Sequence, residues 1–151
     1  MEIVLFVFAE EVLFYYGHRL MHQPALYRRY HKQHHEFKAP IALAASYAHP
    51  VEHTLVNVLP LWLGPVLCRS HLLTVYIWFV AAVVGTQLHH CGYRFPLMHV
   101  PMDEQPNFHD FHHENFQGNY GLLTVLDRLH GTDAAWRARL ATQGQAKPKA
   151  R

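Results

Sequence analysis

The chain has 151 residues, half of them hydrophobic, and a formal net charge of +2. This length fits one domain, and so small a charge gives no argument for nucleic-acid binding. Fifteen of the residues are histidines, spread from His18 to His130, so they are not a terminal tag. Cys68 and Cys91 stand alone, and no disulfide framework is expected.

The first predicted element is a helix over residues 2–22, which starts apolar and ends with histidines shortly before Pro24. Glu10 and Glu11 interrupt the apolar run and no basic segment precedes it, which is not typical of a secretory signal. We therefore expect the end of a longer hydrophobic helix, in a truncated or short form of a larger membrane protein. Residues 25–37 predict a second, strongly basic helix.

An apolar stretch over residues 54–88 follows a connector at 38–50. It is too long for one membrane-spanning helix and nearly right for two short ones. We predict spans at about 52–68 and 71–89, with the turn of a hairpin at Arg69. A buried hairpin in a soluble helical bundle is the alternative, which the near absence of charge disfavours.

A hairpin returns the chain to the face that it left, so the histidines before and after it share one side of the membrane. Basic residues flank the hairpin, and the positive-inside tendency places both ends in the cytoplasm. Residues 91–131 then form a cytosolic cap. Its expected elements are a loop, a helix and a tight turn, at 96–106, 107–116 and 118–121.

The fold class predicted is all-α, with a membrane helical hairpin and a cytosolic helical cap that enclose a histidine-rich site for two metal ions. The domain is expected to cover residues 1–140. Residues 141–151, which are polar and small, are expected to form a disordered tail.

Three short segments each carry two or three histidines at helical spacing. They are HRLMH, HKQHH and HDFHH, whose histidines are His18, His22, His31, His34, His35, His109, His112 and His113. Residues three and four apart lie on one face of a helix, so each segment aims its imidazoles in one direction. Eight imidazoles are too many for one tetrahedral zinc ion and suit two metal ions. The residue type leaves zinc, iron, copper and nickel open.

These motifs, in this order around a hydrophobic hairpin, resemble the fatty acid hydroxylase superfamily from about Glu11 to Asp133. The segments YAHPVEH, HHCGY and LDRLHGTD are similar to its C4-methyl sterol oxidase branch. The resemblance implies two iron ions, for which zinc could substitute, and O2 as oxidant. It also implies electrons from NAD(P)H through a b-type cytochrome, an electron-transfer haem protein. The implied metal positions are the eight histidines above together with His90.

Four further residues are candidates for the shell around the metal ligands: His49, Glu52, Asp110 and His89. His49 can equally be a helix-boundary histidine, and Glu52 a helix cap at the membrane interface. Asp110 could orient a neighbouring histidine. No catalytic side chain beyond the metal ligands is expected.

The function that the resemblance implies is an integral-membrane oxidoreductase of the endoplasmic-reticulum type, with its active site on the cytosolic face. Its substrate would be a sterol or a fatty-acyl lipid drawn from the bilayer, and the likeness to the sterol branch favours the sterol. One alternative is a membrane metal-binding or metal-transport protein, whose histidines would line the spans. Another is a catalytically dead short form of such an enzyme.

Overall fold

The protein is described from a computed structural model, which covers residues 2–93 and 106–146. In these residues all regular structure is helical. The first helix, α1, spans Glu2–Met21, close to the predicted bounds. Its buried face includes Phe6 and Tyr15. Phe6 packs so closely on Gly64 that a Cβ added to the glycine would lie 2.7 Å from Phe6 Cδ1.

The second helix, α2, covers residues 24–31 and is less regular than the predicted helix over 25–37. Pro24–Leu26 continues into a wide π turn, Tyr27–His31, in which the Lys32 N–H donates to the Tyr27 carbonyl at 2.8 Å. A 3-10 turn, His34–Glu36, follows. Wide turns of this kind often occur at functional sites, and here all three histidines of HKQHH end up buried.

Two long helices form the hairpin. The third helix, α3, spans Pro50–Cys68 and contains a π turn at His53–Val58, and the fourth, α4, spans Leu72–His89. Arg69 makes the turn between them in the left-handed region, with φ of 49°. The predicted hairpin and its turn are therefore confirmed.

Both hairpin helices are long and apolar enough to cross a membrane. In α4 only 6% of the apolar window is buried inside the protein, and in α3 28%. Leu67 and Leu72 are 71% and 79% exposed. A hairpin in the core of a soluble bundle would be mostly buried, so this exposure favours the membrane interpretation of the two helices.

The part of the chain after the hairpin folds into three helices, α5 at Asn107–Asn115, α6 at Val125–His130 and α7 at Ala134–Ala146. Trp136 of α7 packs on Phe108 and Phe111 of α5. Helix α7 runs past residue 141, where the tail was predicted to begin, because its alanines, arginines and leucine favour helix. Residues 96–105 of the predicted loop at 96–106, and residues 147–151, lie outside the described residues.

Candidate metal centre

Nine buried or half-buried histidines meet where α1, α2, α4 and α5 converge. They form two sets, in each of which the possible ligand atoms lie within 4.8 Å of one another. The five-histidine group consists of His18, His22, His31, His35 and His112. The four-histidine group consists of His34, His90, His109 and His113. The nine are the same residues that the sequence analysis named as metal positions.

The two groups are adjacent, and each His-x-x-His-His motif contributes to both. The ring centroids of His35 and His113, one from each group, are 4.6 Å apart. In each motif the first and last histidines, four residues apart, enter the same group, whereas the histidine between them, at the fourth position, enters the other. Helix α5, for example, gives His109 and His113 to the four-histidine group and His112 to the five-histidine group. The arrangement therefore links the two groups through shared elements.

Backbone carbonyls fix the position of the ring proton in the five-histidine group. His18 Nδ1 donates to the Tyr120 carbonyl at 2.8 Å, and His112 Nδ1 donates to the Gly118 carbonyl at 2.7 Å. A carbonyl can only accept, so the proton of each neutral ring lies on Nδ1 and the lone pair on Nε2. Both acceptors belong to the turn at 118–121 that the sequence predicted.

The four-histidine group is held in the same way. His90 Nδ1 donates to the Thr86 carbonyl at 2.8 Å, and His113 Nδ1 donates to the Phe37 carbonyl at 3.0 Å. Bonds of this kind orient metal-binding imidazoles in many proteins, because they fix the tautomer and the ring plane. The inner nitrogens of both groups thus present lone pairs to each other.

These inner nitrogens lie closer together than is favourable for lone pairs that have no proton or cation between them. In the four-histidine group, His109 Nε2 lies 2.9 Å from His90 Nε2 and 3.2 Å from His113 Nε2. In the five-histidine group, His18 Nε2 is buried and has no hydrogen-bond partner among the described residues. A cation between the rings would satisfy all of these lone pairs at once. The donor set therefore fits one metal ion in each group.

The imidazoles are also in the protonation state that metal binding requires. Burial lowers the pKa of His18 and of His90 to about 4, and the pKa of His113 to about 3. Neighbouring imidazoles contribute to the lowered pKa of His18 and of His113. Burial likewise places the pKa of three other rings well below the usual value: His34, His109 and His112. All these rings are neutral at physiological pH.

The loop between α5 and α6 is held in place by two buried carboxylates. Glu11 Oε2 accepts from the N–H groups of Leu122 and Leu123 at 2.8 and 2.9 Å. Asp127 Oδ1 accepts from the N–H of Tyr120 at 2.8 Å. Sequence reasoning missed the role of Glu11, although an acidic residue within an apolar helix was the available signal.

Two of the candidates for the surrounding shell lie at the start of α3. Glu52 is buried, and its Oε1 accepts from His31 Nδ1 at 2.6 Å. A carboxylate in this position orients a metal-binding imidazole and raises its basicity. His49 instead caps α3, because its Nδ1 accepts from the Val51 N–H at 3.2 Å. The helix-boundary interpretation thus describes His49.

The other two candidates lie outside both groups. Asp110 lines a surface cleft with Arg139, on the side of α5 that faces α7. Burial raises the pKa of Asp110 to about 6. His89 lines a groove between α1 and α4 together with Glu10 and Trp78.

Comparison with known proteins agrees with this geometry. The family model described as fatty acid hydroxylase matches residues 3–132. The chain is 47% identical over 137 residues to human fatty acid hydroxylase domain-containing protein 2, covering 91% of the chain and 40% of that protein. The resemblance to the fatty acid hydroxylase superfamily, which the histidine motifs predicted, is confirmed.

Further relatives are more distant. The chain is 37% identical over 129 residues to fatty acid hydroxylase ahd1 of Mycosarcoma maydis, covering 85% of the chain and 32% of that protein. It is 39% identical over 133 residues to methylsterol monooxygenase 1 of Rattus norvegicus, covering 85% of the chain and 45% of that protein. The chain thus spans less than half the length of these relatives. No solved structure matches it.

Proposed function

The chain belongs to the fatty acid hydroxylase family, and from this premise we propose that it forms the dimetal core of a membrane oxidoreductase that uses O2 to oxidise a lipid. The observation that carries the proposal is the pair of adjacent histidine groups with inward lone pairs. We propose iron as the metal, with one ion in each group. Zinc would suit the same imidazoles but carries no redox chemistry.

When bound, the two iron ions would supply the redox chemistry that reduces O2 and oxidises a C–H bond. Hydroxylation of one C–H bond consumes O2, two electrons and two protons, and it releases one water. Backbone carbonyls hold four of the imidazoles, those of His18, His90, His112 and His113, in one tautomer. The protein also keeps bulk water away, since His112 and His113 have no exposed surface. No side chain is proposed as a nucleophile.

The substrate proposed is a sterol, oxidised at or near a C4-methyl group, or otherwise a fatty-acyl lipid. The names of the relatives support both classes, since one is a methylsterol monooxygenase and another a fatty acid hydroxylase. The likeness of HHCGY and LDRLHGTD to the sterol branch favours the sterol. The electrons are proposed to come from NAD(P)H through a b-type cytochrome that docks on the same side as the histidines.

The location proposed is a membrane of the endoplasmic-reticulum type, with α3 and α4 in the bilayer and the metal centre on the cytosolic face. Arg28, Arg29 and Lys32 support this orientation, because they are exposed on α2 next to the buried histidines. Basic residues near membrane helices favour the cytoplasmic side.

A metal-transport function fits the geometry less well. The histidines of a transport path would line the membrane helices, whereas the nine histidines lie outside α3 and α4, with His90 directly after α4. The other alternative, a catalytically dead short form, differs from the main proposal in turnover rather than in metal binding. One experiment on metal content and one on turnover therefore separate the three functions.

The first experiment measures metal content in the purified chain by mass spectrometry. We expect about two iron ions per chain after loading, and about one each in His112→Ala and His109→Ala, because each variant disrupts one group. His71→Ala is the matched control, since His71 is an exposed cap of α4 outside both groups. Equal metal content in all three variants would contradict the dimetal site.

The second experiment measures turnover. The chain is reconstituted in vesicles with iron, NADPH, a cytochrome reductase, a b-type cytochrome and either a 4-methylsterol or a fatty acid. We expect an oxygenated product in mass spectra that carries label from ¹⁸O2 and is lost in both histidine variants. Two bound iron ions without product would favour the catalytically dead form.

A further inference from the structure

A cavity of about 190 Å³ lies against the metal centre, between α1, the turn Ala42–Ser46 and the two membrane helices. Each histidine group is in contact with one of its lining residues. The ring of Phe14, in its wall, lies 5.1 Å from the ring of His18 between centroids. Thr86, also in its wall, holds His90 through its backbone carbonyl. A molecule in this cavity is therefore separated from each histidine group by a single residue.

The cavity has a polar end and an apolar end. On α4, Gln87 lies three residues before His90, about 4.5 Å along the helix axis, whereas Phe79 lies about 16 Å away. On α3, Asn57 lies about one turn after Glu52, which accepts a hydrogen bond from His31, and Leu61 lies one turn further from the metal centre. Both membrane helices thus place amide side chains near the metal centre and hydrocarbon away from it.

These amides have unused hydrogen-bonding capacity. Asn57 Nδ2 has a long contact of 3.5 Å with His53 Nδ1. Gln87 makes no side-chain hydrogen bond that is seen within the described residues, although its amide offers both donors and an acceptor. Polar groups inside a membrane region are costly unless they are paired, so they commonly mark functional sites. A hydroxyl or a carbonyl on a ligand would pair with either amide.

The charges around the cavity disfavour one class of ligand. Glu10 lines the cavity, and burial, reinforced by Glu11, raises its pKa to about 7. The described lining residues include one imidazole, His53, and no arginine or lysine. A carboxylate ligand would therefore find no permanent cation and would meet the partial negative charge of Glu10. An uncharged polar group meets neither obstacle.

We propose that this cavity binds the polar end of an uncharged lipid, one that ends in a hydroxyl or a carbonyl, through Asn57 and Gln87. The oxidised carbon is then a few bonds from that polar end. This consequence rests on the proposed function, whereas the binding does not. The cavity is too small for a whole lipid. A groove of about 240 Å³, which shares Glu10 and Thr86 with the cavity, takes the rest of the apolar body.

The test measures ligand binding without turnover, in the whole chain embedded in nanodiscs and without reductant. The probes are 1-octadecanol, octadecanoate and cholestanol, and the retained lipid is counted by mass spectrometry at pH 8. Octadecanol and octadecanoate have the same chain and differ only in the polar end. We expect about tenfold better retention of octadecanol. Retention of cholestanol as well would extend the site from long-chain alcohols to sterols.

Variants assign the effect to named residues. We expect Gln87→Leu and Asn57→Leu each to lower octadecanol retention about three- to tenfold. Gln143→Leu makes the same chemical change at an exposed position of α7 and should leave retention unchanged. Glu10→Gln should raise octadecanoate retention, a gain that misfolding cannot produce.

Octadecanoate retained as well as octadecanol by the wild type would overturn the proposal, as would wild-type binding in Gln87→Leu and Asn57→Leu. These outcomes are independent of catalysis. If the alcohols bind as expected but neither octadecanol nor a 4-methylsterol is oxidised after loading with iron and a reductant, the proposed function fails and the binding site stands.

Discussion

Two glycines on the membrane hairpin give opposite expectations for the same substitution. Gly64 on α3 faces Phe6 of α1, whereas Gly85 on α4 has nothing within 4 Å of an added Cβ. We expect Gly64→Ala to destabilise the protein and Gly85→Ala to leave it unchanged or more stable. The pair tests whether α1 and α3 pack as closely as described.

The magnitude follows from the distances. An alanine Cβ at Gly64 would lie 2.7 Å from Phe6 Cδ1 and 3.1 Å from Phe6 Cα. Carbon atoms pack at about 3.5–4.0 Å, and the Cα is backbone, so α1 itself must shift. Overpacking of this kind costs about 1–3 kcal/mol. Replacing a glycine by alanine within an open helix instead contributes about 0.5–1 kcal/mol of stability.

The assay is reversible unfolding of both variants in one detergent, with the free energy of unfolding as readout. Because α1 carries His18 and His22 follows its last residue, Gly64→Ala should also release metal from the five-histidine group more readily, measured by competition with a chelator. If Gly64→Ala is as stable as Gly85→Ala, the close contact between α1 and α3 is wrong.

Three further predictions concern the metal centre. Glu52→Gln replaces the carboxyl group that accepts from His31 by an amide and should weaken the binding of one metal ion about 10–100-fold in chelator competition. Gly121→Ala would place a Cβ 2.8 Å from both Asp127 Oδ2 and Glu11 Oε1, so it should cost about 1–3 kcal/mol in thermal unfolding. Stripping the metals should lower the melting temperature, and either iron or zinc should restore it.

Each of these has a result that contradicts it. Unchanged affinity for both metal ions in Glu52→Gln would mean that the hydrogen bond to His31 does not support binding. If Gly121→Ala is as stable as the wild type, the two carboxylates do not hold the loop in place as described. A melting temperature that does not depend on metal would mean that the inner nitrogens of the histidines do not need a cation.

Spacing singled out eight of the nine histidines that meet in the structure, the family resemblance added His90, and hydrophobicity predicted the hairpin. The division of the histidines was not predicted. Residues i and i+4 differ by about 40° around a helix, whereas i+3 and i+4 differ by about 100°. His112 and His113 therefore point to different groups, although both are on the broad face that the pattern described.

Other features of the site have no signature in the side chains. The acceptors that orient His18 and His113 are backbone carbonyls, of Tyr120 and Phe37, and any residue type supplies one. The π turn Tyr27–His31 also cannot be predicted from the sequence, because its residues fit a regular α-helix equally well. Tertiary packing of the buried imidazoles, rather than local propensity, decides both features.

The two groups draw on different parts of the chain. Four members of the five-histidine group precede the hairpin, whereas three members of the four-histidine group follow α4. Synthesis as far as residue 36 thus supplies most of one coordination sphere and a single ligand of the other. His112 and His113 complete the two spheres, so neither can close until α3 and α4 have been synthesised. Synthesis of the hairpin therefore precedes completion of either metal site.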